Sequence, residues 1–403
     1  MRKTVRSHAR SWYASAVYAY AHAVAGHRRS VALAALCVVT LACRGSDRND
    51  AMADSANGRL IEGMDAPRDA GARGDSAMRT GSGVAANLVS EQKQVLDELG
   101  TLGGKPIETL SATEARKQPT PTDAVMALLR KGGKSTAPEA VGMVANRTIS
   151  TSAGSLPVRV YTPAGKGPFP VIVYYHGGGF VIATMDTYDG SARALANAAE
   201  AVLVSVEYRK APEHKFPAAH DDAFAAYQWV LANAAKIHGD PARVALAGES
   251  AGGNLALATA IAARDKGIQL PTSILAVYPV AGNDTNTVSY RENANAKPLN
   301  RPMMVWFFDK YMRTPADAQD TRLNLLGANL KGLPAVTIIN AEIDPLRTDG
   351  ELLASKLRDA GVTVDRKQFD GVAHEFFGQG AVLPAAKEAV QFGAHSLKVG
   401  FGK

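Results

Sequence analysis

Residues 244–253 read Val-Ala-Leu-Ala-Gly-Glu-Ser-Ala-Gly-Gly, an apolar run that ends abruptly in small residues around one serine. A short apolar run bounded by glycines reads as a buried parallel strand, and the alanine-rich residues 251–263 read as a helix. Ser250 therefore falls at a strand-to-helix corner. Gly248 and Gly252 flank it at minus two and plus two, the positions where so sharp a corner leaves no room for a Cβ. The corner pushes the serine hydroxyl out of the sheet, at the N-terminus of a helix whose dipole favours developing negative charge. A glycine-rich turn with an incidental serine would look the same, so the remainder of the chain has to supply the serine's partners.

The surrounding pattern is that of a mostly parallel, doubly wound α/β sheet, which 403 residues with 46% apolar side chains can support with a sizeable core. Strands are expected at 156–161, 170–175, 202–206, 244–247, 274–278, 335–340 and 363–369. Helices are expected at 191–200, 218–235, 251–263, 303–312, 350–360 and 384–397. The main α/β body is expected to run over 146–403, with an inserted helical region around 283–325. Ahead of it, Leu88, Val95, Leu96 and Leu99 recur at helical spacing, and a second helix follows the Pro119 and Pro121 punctuation near 124–129. Two short helices in 88–145 cannot form a core alone, so they are expected to cap the larger body.

A serine hydroxyl is a weak nucleophile unless an imidazole takes its proton and a carboxylate orients that imidazole. Both partners are found where later strands end. The strand at 335–340 runs into Glu342, Asp344 and Pro345, and the strand at 363–369 runs into Gly371 and His374. Asp344 is preferred over Glu342 as the acid, because Pro345 is read as the start of the next helix and puts Asp344 in the loop at its mouth. The second informative stretch is His176-Gly177-Gly178-Gly179-Phe180, directly after the strand at 170–175. Three consecutive glycines point to a close backbone approach to a ligand. Their amides, with that of Ala251, can stabilise an oxyanion. A phosphate cradle is disfavoured, since no Lys-Ser/Thr follows and no helix starts at once. His176 reads as a structural hydrogen bonder rather than a base.

These motifs, with Tyr208-Arg209-Lys210-Ala211-Pro212-Glu213-His214 through Phe216-Pro217-Ala218, Asp221 and Asp222, and Asp344-Pro345-Leu346-Arg347, together resemble the hormone-sensitive lipase family of α/β-hydrolase esterases. The likeness covers roughly residues 88–400. It implies an α/β-hydrolase fold with a helical cap, Ser250, Asp344 and His374 as catalytic triad, and Gly178, Gly179 and Ala251 as oxyanion hole. It implies a carboxylic ester as substrate and neither metal nor cofactor. Glu249 stands where the family more often has aspartate, a change expected to alter local hydrogen bonding only. Trp306, Phe307 and Phe308 are divided evenly between core packing and lining of an acyl pocket. An amidase or formamidase on the same fold, or a non-catalytic receptor for small ligands, are the competing functions.

Charge excludes nucleic acid as a partner: residues 1–48 hold eight Lys/Arg against one Asp, and the other 355 residues balance, 37 basic against 37 acidic. The same basic segment leads into twelve apolar or small residues at 31–42, too few to span a bilayer but suited to a secretory signal. Its end, Leu41-Ala42-Cys43, resembles a bacterial lipoprotein signal, so export and membrane anchoring through an acylated Cys43 are expected for 1–43. Residues 44–87 are poor in large apolar side chains and are expected to be a disordered tether. Cys37 and Cys43 are the only cysteines, so the body has no disulfide, no thiolate metal site and no cysteine nucleophile.

Overall fold

Strands whose successive side chains are all apolar must be covered on both faces, and the layers of this protein follow from that requirement. The computed structural model describes residues 87–403; the expected export segment, Cys43 and nearly all of the expected tether lie outside them. Among the described residues one sheet contains β1 (Met143–Thr151), β2 (Gly154–Thr162), β3 (Phe169–Tyr175), β4 (Val202–Val206), β5 (Gly239–Glu249), β6 (Ile274–Val277), β7 (Val336–Ile343) and β8 (Val364–Ala373). The spatial order is β1-β2-β4-β3-β5-β6-β7-β8. The pairs β1/β2 and β2/β4 are antiparallel, and every pair from β4 to β8 is parallel. The helices are α1 (Ser90–Thr101), α2 (Ala112–Ala115), α3 (Pro121–Lys131), α4 (Asp189–Ala199), α5 (Ala218–Asn233), α6 (Ala251–Asp265), α7 (Val288–Glu292), α8 (Arg301–Tyr311), α9 (Arg347–Asp359) and α10 (Pro384–Gly400).

The period-two alternation sorts the strand residues into two cores. Val171, Val173, Val204, Leu246 and Ile338 face α5, α6 and α9, where they meet Ala223, Leu255 and Leu353. Ile172, Leu203, Ala245, Leu275 and Ile339 face α4 and α10, where they meet Leu195, Ala389 and Val390. Helix α6 is buried on nearly every side, which its run of Ala and Gly permits.

Three features depart from the pattern read in the sequence. Strand β1 was not singled out, because Asn146 and Arg147 interrupt it and most of it is exposed. It pairs with β2 along its whole length through the two-residue turn Ser152-Ala153 and occupies the sheet edge, where burial does not dictate apolar side chains. Helix α9 begins at Arg347 rather than at Pro345, which lies in the preceding turn. The four-residue α2 and five-residue α7 are too short to carry a helical period. Helix α3 instead follows its punctuation: Thr120 and Asp123 form a capping box and Pro121 takes the first turn.

Register brings the chemically informative loops together. Tyr175 pairs with Gly248 and Glu249 with Val277, so the His176 loop and the Ser250 corner leave neighbouring strands at the same edge. Ile343 pairs with Ala373, setting Asp344 beside His374. The corner is possible only because the backbones nearly touch. A Cβ on Gly252 would sit 1.9 Å from the Tyr175 carbonyl oxygen, and one on Gly248 would sit 2.2 Å from the Gly252 carbonyl oxygen.

Gly252→Ala should therefore destabilise the protein by about 3 kcal/mol or more, since the clash is with backbone that cannot swing aside. Gly100→Ala, in helix α1 with nothing within 4 Å of the added methyl, should stabilise by roughly 0.5–1 kcal/mol. Thermal unfolding of both variants checks the opposite signs.

Candidate active site

Ser250 holds φ 55° and ψ −116°, a backbone conformation that a side chain tolerates only when its surroundings enforce it. Its amide donates to the Val277 carbonyl at 2.9 Å, which ties the corner to β6. The hydroxyl lies 3.1 Å from His374 Nε2, and His374 Nδ1 lies 2.7 Å from Asp344 Oδ2. An ionised Asp344 only accepts, so Nδ1 carries the ring proton and Nε2 offers its lone pair to the serine hydroxyl. The other carboxylate oxygen, Oδ1, accepts from the Leu346 amide at 2.8 Å. All three residues are buried, Ser250 at 4%, His374 at 2% and Asp344 at 0% exposure, so little bulk water competes for these hydrogen bonds.

Glu342, the other candidate acid, does different work: its Oε2 accepts from the Gly371 amide at 2.7 Å and steadies the bend of the histidine-bearing strand. His176 is buried and neutral. Its Nδ1 donates to the Gly177 carbonyl at 2.7 Å and its ring stacks on Tyr208 at 4.4 Å, while burial brings its pKa down to about 4.

Gly178 and Gly179 adopt φ of 102° and 59°, in the region that favours glycine. Neither could carry a side chain: a Cβ on Gly178 would sit 2.3 Å from the Ile182 carbonyl, and one on Gly179 would sit 2.2 Å from the Phe307 ring. Among the described residues the amides of Gly178, Gly179 and Ala251 donate to no acceptor. Ala251 opens helix α6, where a first-turn amide has no partner within the helix. Amides without acceptors at a helix N-terminus are chemically able to stabilise an oxygen that gains negative charge.

A cavity of about 470 Å³ opens onto Ser250, His374, Gly178 and Gly179. Its apolar wall comes from two parts of the chain: Leu96, Leu99 and Ile107 near the N-terminal helices, and Met303, Met304 and Phe307 of α8. Of the four aromatic residues in α8, only Phe307 faces the cavity; Trp306, Phe308 and Tyr311 are packed into the core, with Trp306 Nε1 donating to the Leu110 carbonyl at 3.2 Å. Arg116 fastens α2 to the body by donating to the Val181 and Ala211 carbonyls and pairing with both oxygens of Glu213. Buried Gln92 of α1 accepts from the Ala373 amide at 3.3 Å, which ties the same helix to the loop that carries His374.

Sequence reasoning did not find the acid and tyrosine groups behind Ser250 and His374. Glu249 is wholly buried, and its two oxygens accept from the hydroxyls of Tyr174 and Tyr278. Burial, and then the charge of Glu375, push its carboxyl up to about 7. Tyr278 also presses its ring against His374, with centroids 4.4 Å apart. Glu375 adopts φ 67° and accepts from Tyr188 at 2.5 Å. The unusual Glu249 was the one visible signal; the tyrosines come from three separate elements. Among the described residues no cluster of side chains suits a metal ion, and no helix is long and apolar enough to cross a membrane.

A sequence profile for the α/β-hydrolase fold matches residues 172–378. Carboxylesterase NlhH of Mycobacterium tuberculosis is 43% identical over 249 residues, covering 60% of this chain and 78% of its own length. Ethyl acetate hydrolase of Pseudomonas putida is 32% identical over 312 residues, covering 75% and 95% respectively. The crystal structure of a hyperthermophilic esterase from Pyrobaculum calidifontis superposes with a TM-score of 0.70 at 37% identity, covering 78% of this chain and 98% of that one.

Burial opposes protonation of His374, but the Asp344 charge and hydrogen bond, with smaller help from Glu375 and Glu249, more than offset it and hold the ring above its ordinary 6.5. A base must be neutral to take a proton, so kcat/KM on an ester should rise with pH through an acidic limb centred above pH 6.5. A pH–rate profile measured from pH 5 to 9 checks this; a limb near pH 5 would contradict it.

Proposed function

This chain belongs to the α/β-hydrolase family, in its hormone-sensitive-lipase-like branch of carboxylesterases, and on that premise we propose that it hydrolyses short to medium acyl esters with Ser250 as nucleophile. The observation that carries this reading is the hydrogen-bonded line from Ser250 through His374 to Asp344, opening onto unpartnered glycine amides in an apolar cavity. Ser250 attacks the ester carbonyl as its proton passes to His374 Nε2, while Asp344 holds the imidazolium. The carbonyl oxygen turns toward the amides of Gly178, Gly179 and Ala251, which stabilise the charge it gains. His374 then gives the proton to the departing alcohol, and the same base activates water against the acyl-enzyme.

The limited cavity supports the chain-length preference, because an acyl group has to lie among Leu96, Met304 and Phe307 rather than extend into solvent. An amidase would use the same groups but needs stronger protonation of its leaving group. A receptor would have no use for a strained serine aligned on an imidazole. Export and membrane anchoring through Cys43 are part of this proposal, supported by the apolar run at 31–42 behind Arg28 and Arg29.

Turnover of p-nitrophenyl esters of increasing acyl length, beside matched anilides, tests the reading. Rates should peak at short to medium chains and be far lower on the anilides. Ser250→Ala should lower kcat on the order of 10⁶-fold, and Asp344→Asn about 10⁴-fold. A Ser250→Ala enzyme that keeps a tenth of the activity would sink the mechanism.

A further inference from the structure

Three acidic side chains converge on one imidazole with no Lys or Arg among them. Asp344 takes Nδ1 at 2.7 Å. Glu375 Oε1 stands 3.9 Å from Nε2, on the side where the serine proton arrives. Glu249 lies behind Ser250, linked to the Tyr278 hydroxyl whose ring lies against the imidazole. Resting on the triad reading above, we infer that Glu375, backed by Glu249, is a positioning residue that stabilises the imidazolium of His374 electrostatically.

The groups around the pair come from every neighbouring element. Tyr174 from β3 and Tyr278 from the end of β6 donate to Glu249, and Tyr188 at the start of α4 donates to Glu375. His176, at the end of β3, is neutral in its buried site. Of the cations lining the cavity, Arg116 is bound to Glu213 and Lys210 to Glu207, while Lys105 and Lys297 are exposed. Glu108 also lines the cavity. Among the described residues no Lys or Arg forms an ion pair with Asp344, Glu249 or Glu375. The imidazolium is then the full positive charge in contact with the acid cluster, and at pH values above the acidic limb it forms as Ser250 gives up its proton. Tyrosine hydroxyls can hold each carboxylate in place without supplying that charge.

This arrangement makes catalysis depend on charge at a residue that forms no bond to substrate. The charges of Glu249 and Glu375 both favour the protonated ring, so the acidic limb of the pH profile responds to them as well as to the imidazole. Replacing Glu375 by Gln keeps its size and its place beside Tyr188 but removes charge. The imidazolium is then less favoured, so the limb should move to lower pH and the weaker base should give a lower plateau.

The experiment measures kcat/KM on p-nitrophenyl butyrate from pH 5 to 9 for the full chain, Glu375→Gln, Glu249→Gln and Ser250→Ala. For Glu375→Gln we expect the limb to fall by about one pH unit and the plateau to drop by up to about tenfold, since one unit is a tenfold change in proton affinity. A purely structural role would lower the rate or the melting temperature and leave the limb in place. An unmoved or raised limb in Glu375→Gln overturns the inference; loss of activity in Ser250→Ala at the same time would leave the triad reading standing. If Glu375→Gln does not melt cooperatively, Glu249→Gln decides, with a lowered limb supporting the inference and an unmoved one overturning it. Residual turnover in Ser250→Ala would instead remove the triad and the inference with it.

Discussion

The structure depends on how closely one helix approaches one sheet. At Gly252 the backbone of α6 lies so near Tyr175 that even a methyl group cannot be inserted. That approach holds Ser250 in its strained conformation, points its hydroxyl out of the sheet and leaves the first amide of α6 free. The small side chains of α6 follow from it, because a helix this deeply buried has room for Ala and Gly over most of its surface. The glycine loop after β3 obeys the same constraint from the other side, where Gly178 lies against Ile182 and Gly179 against Phe307.

Electrostatics forms a second level built on that frame. A buried acid is costly unless donors surround it, and here hydroxyls and amides supply them in place of cations. Asp344 has the Leu346 amide and the imidazole, Glu249 has two tyrosines, and Glu375 has Tyr188. Glu342, so close in sequence to Asp344, is spent on a backbone amide of the neighbouring strand. Two carboxylates two residues apart thus have unrelated tasks, because Glu342 is still within β7 beside its neighbouring strand while Asp344 lies in the loop just past the strand's end.

The cavity joins parts of the chain that are far apart in sequence. Helix α1 contributes Leu96 and Leu99 to its wall and, one turn earlier, uses Gln92 to hold the amide beside His374. The cavity wall and the placement of the histidine therefore share one helix. A change in its seating would be felt in both, a coupling that neither the helical period nor the motif order reveals.

Read alone, the sequence determined the doubly wound sheet, the corner at Ser250, the glycine loop and the strand ends at Asp344 and His374. These are local properties: an apolar run, a glycine with no space for Cβ and a helix period are each written in consecutive residues. Strand β1 escaped because an exposed edge strand has no burial pattern to read. Only the tertiary structure decided that Phe307 lines the cavity while Trp306 and Phe308 face the core, and that Tyr174, Tyr188 and Tyr278 gather on Glu249 and Glu375. Those assignments rest on contacts between residues from different strands and helices, and a contact of that kind depends on register and packing that no single stretch of sequence contains.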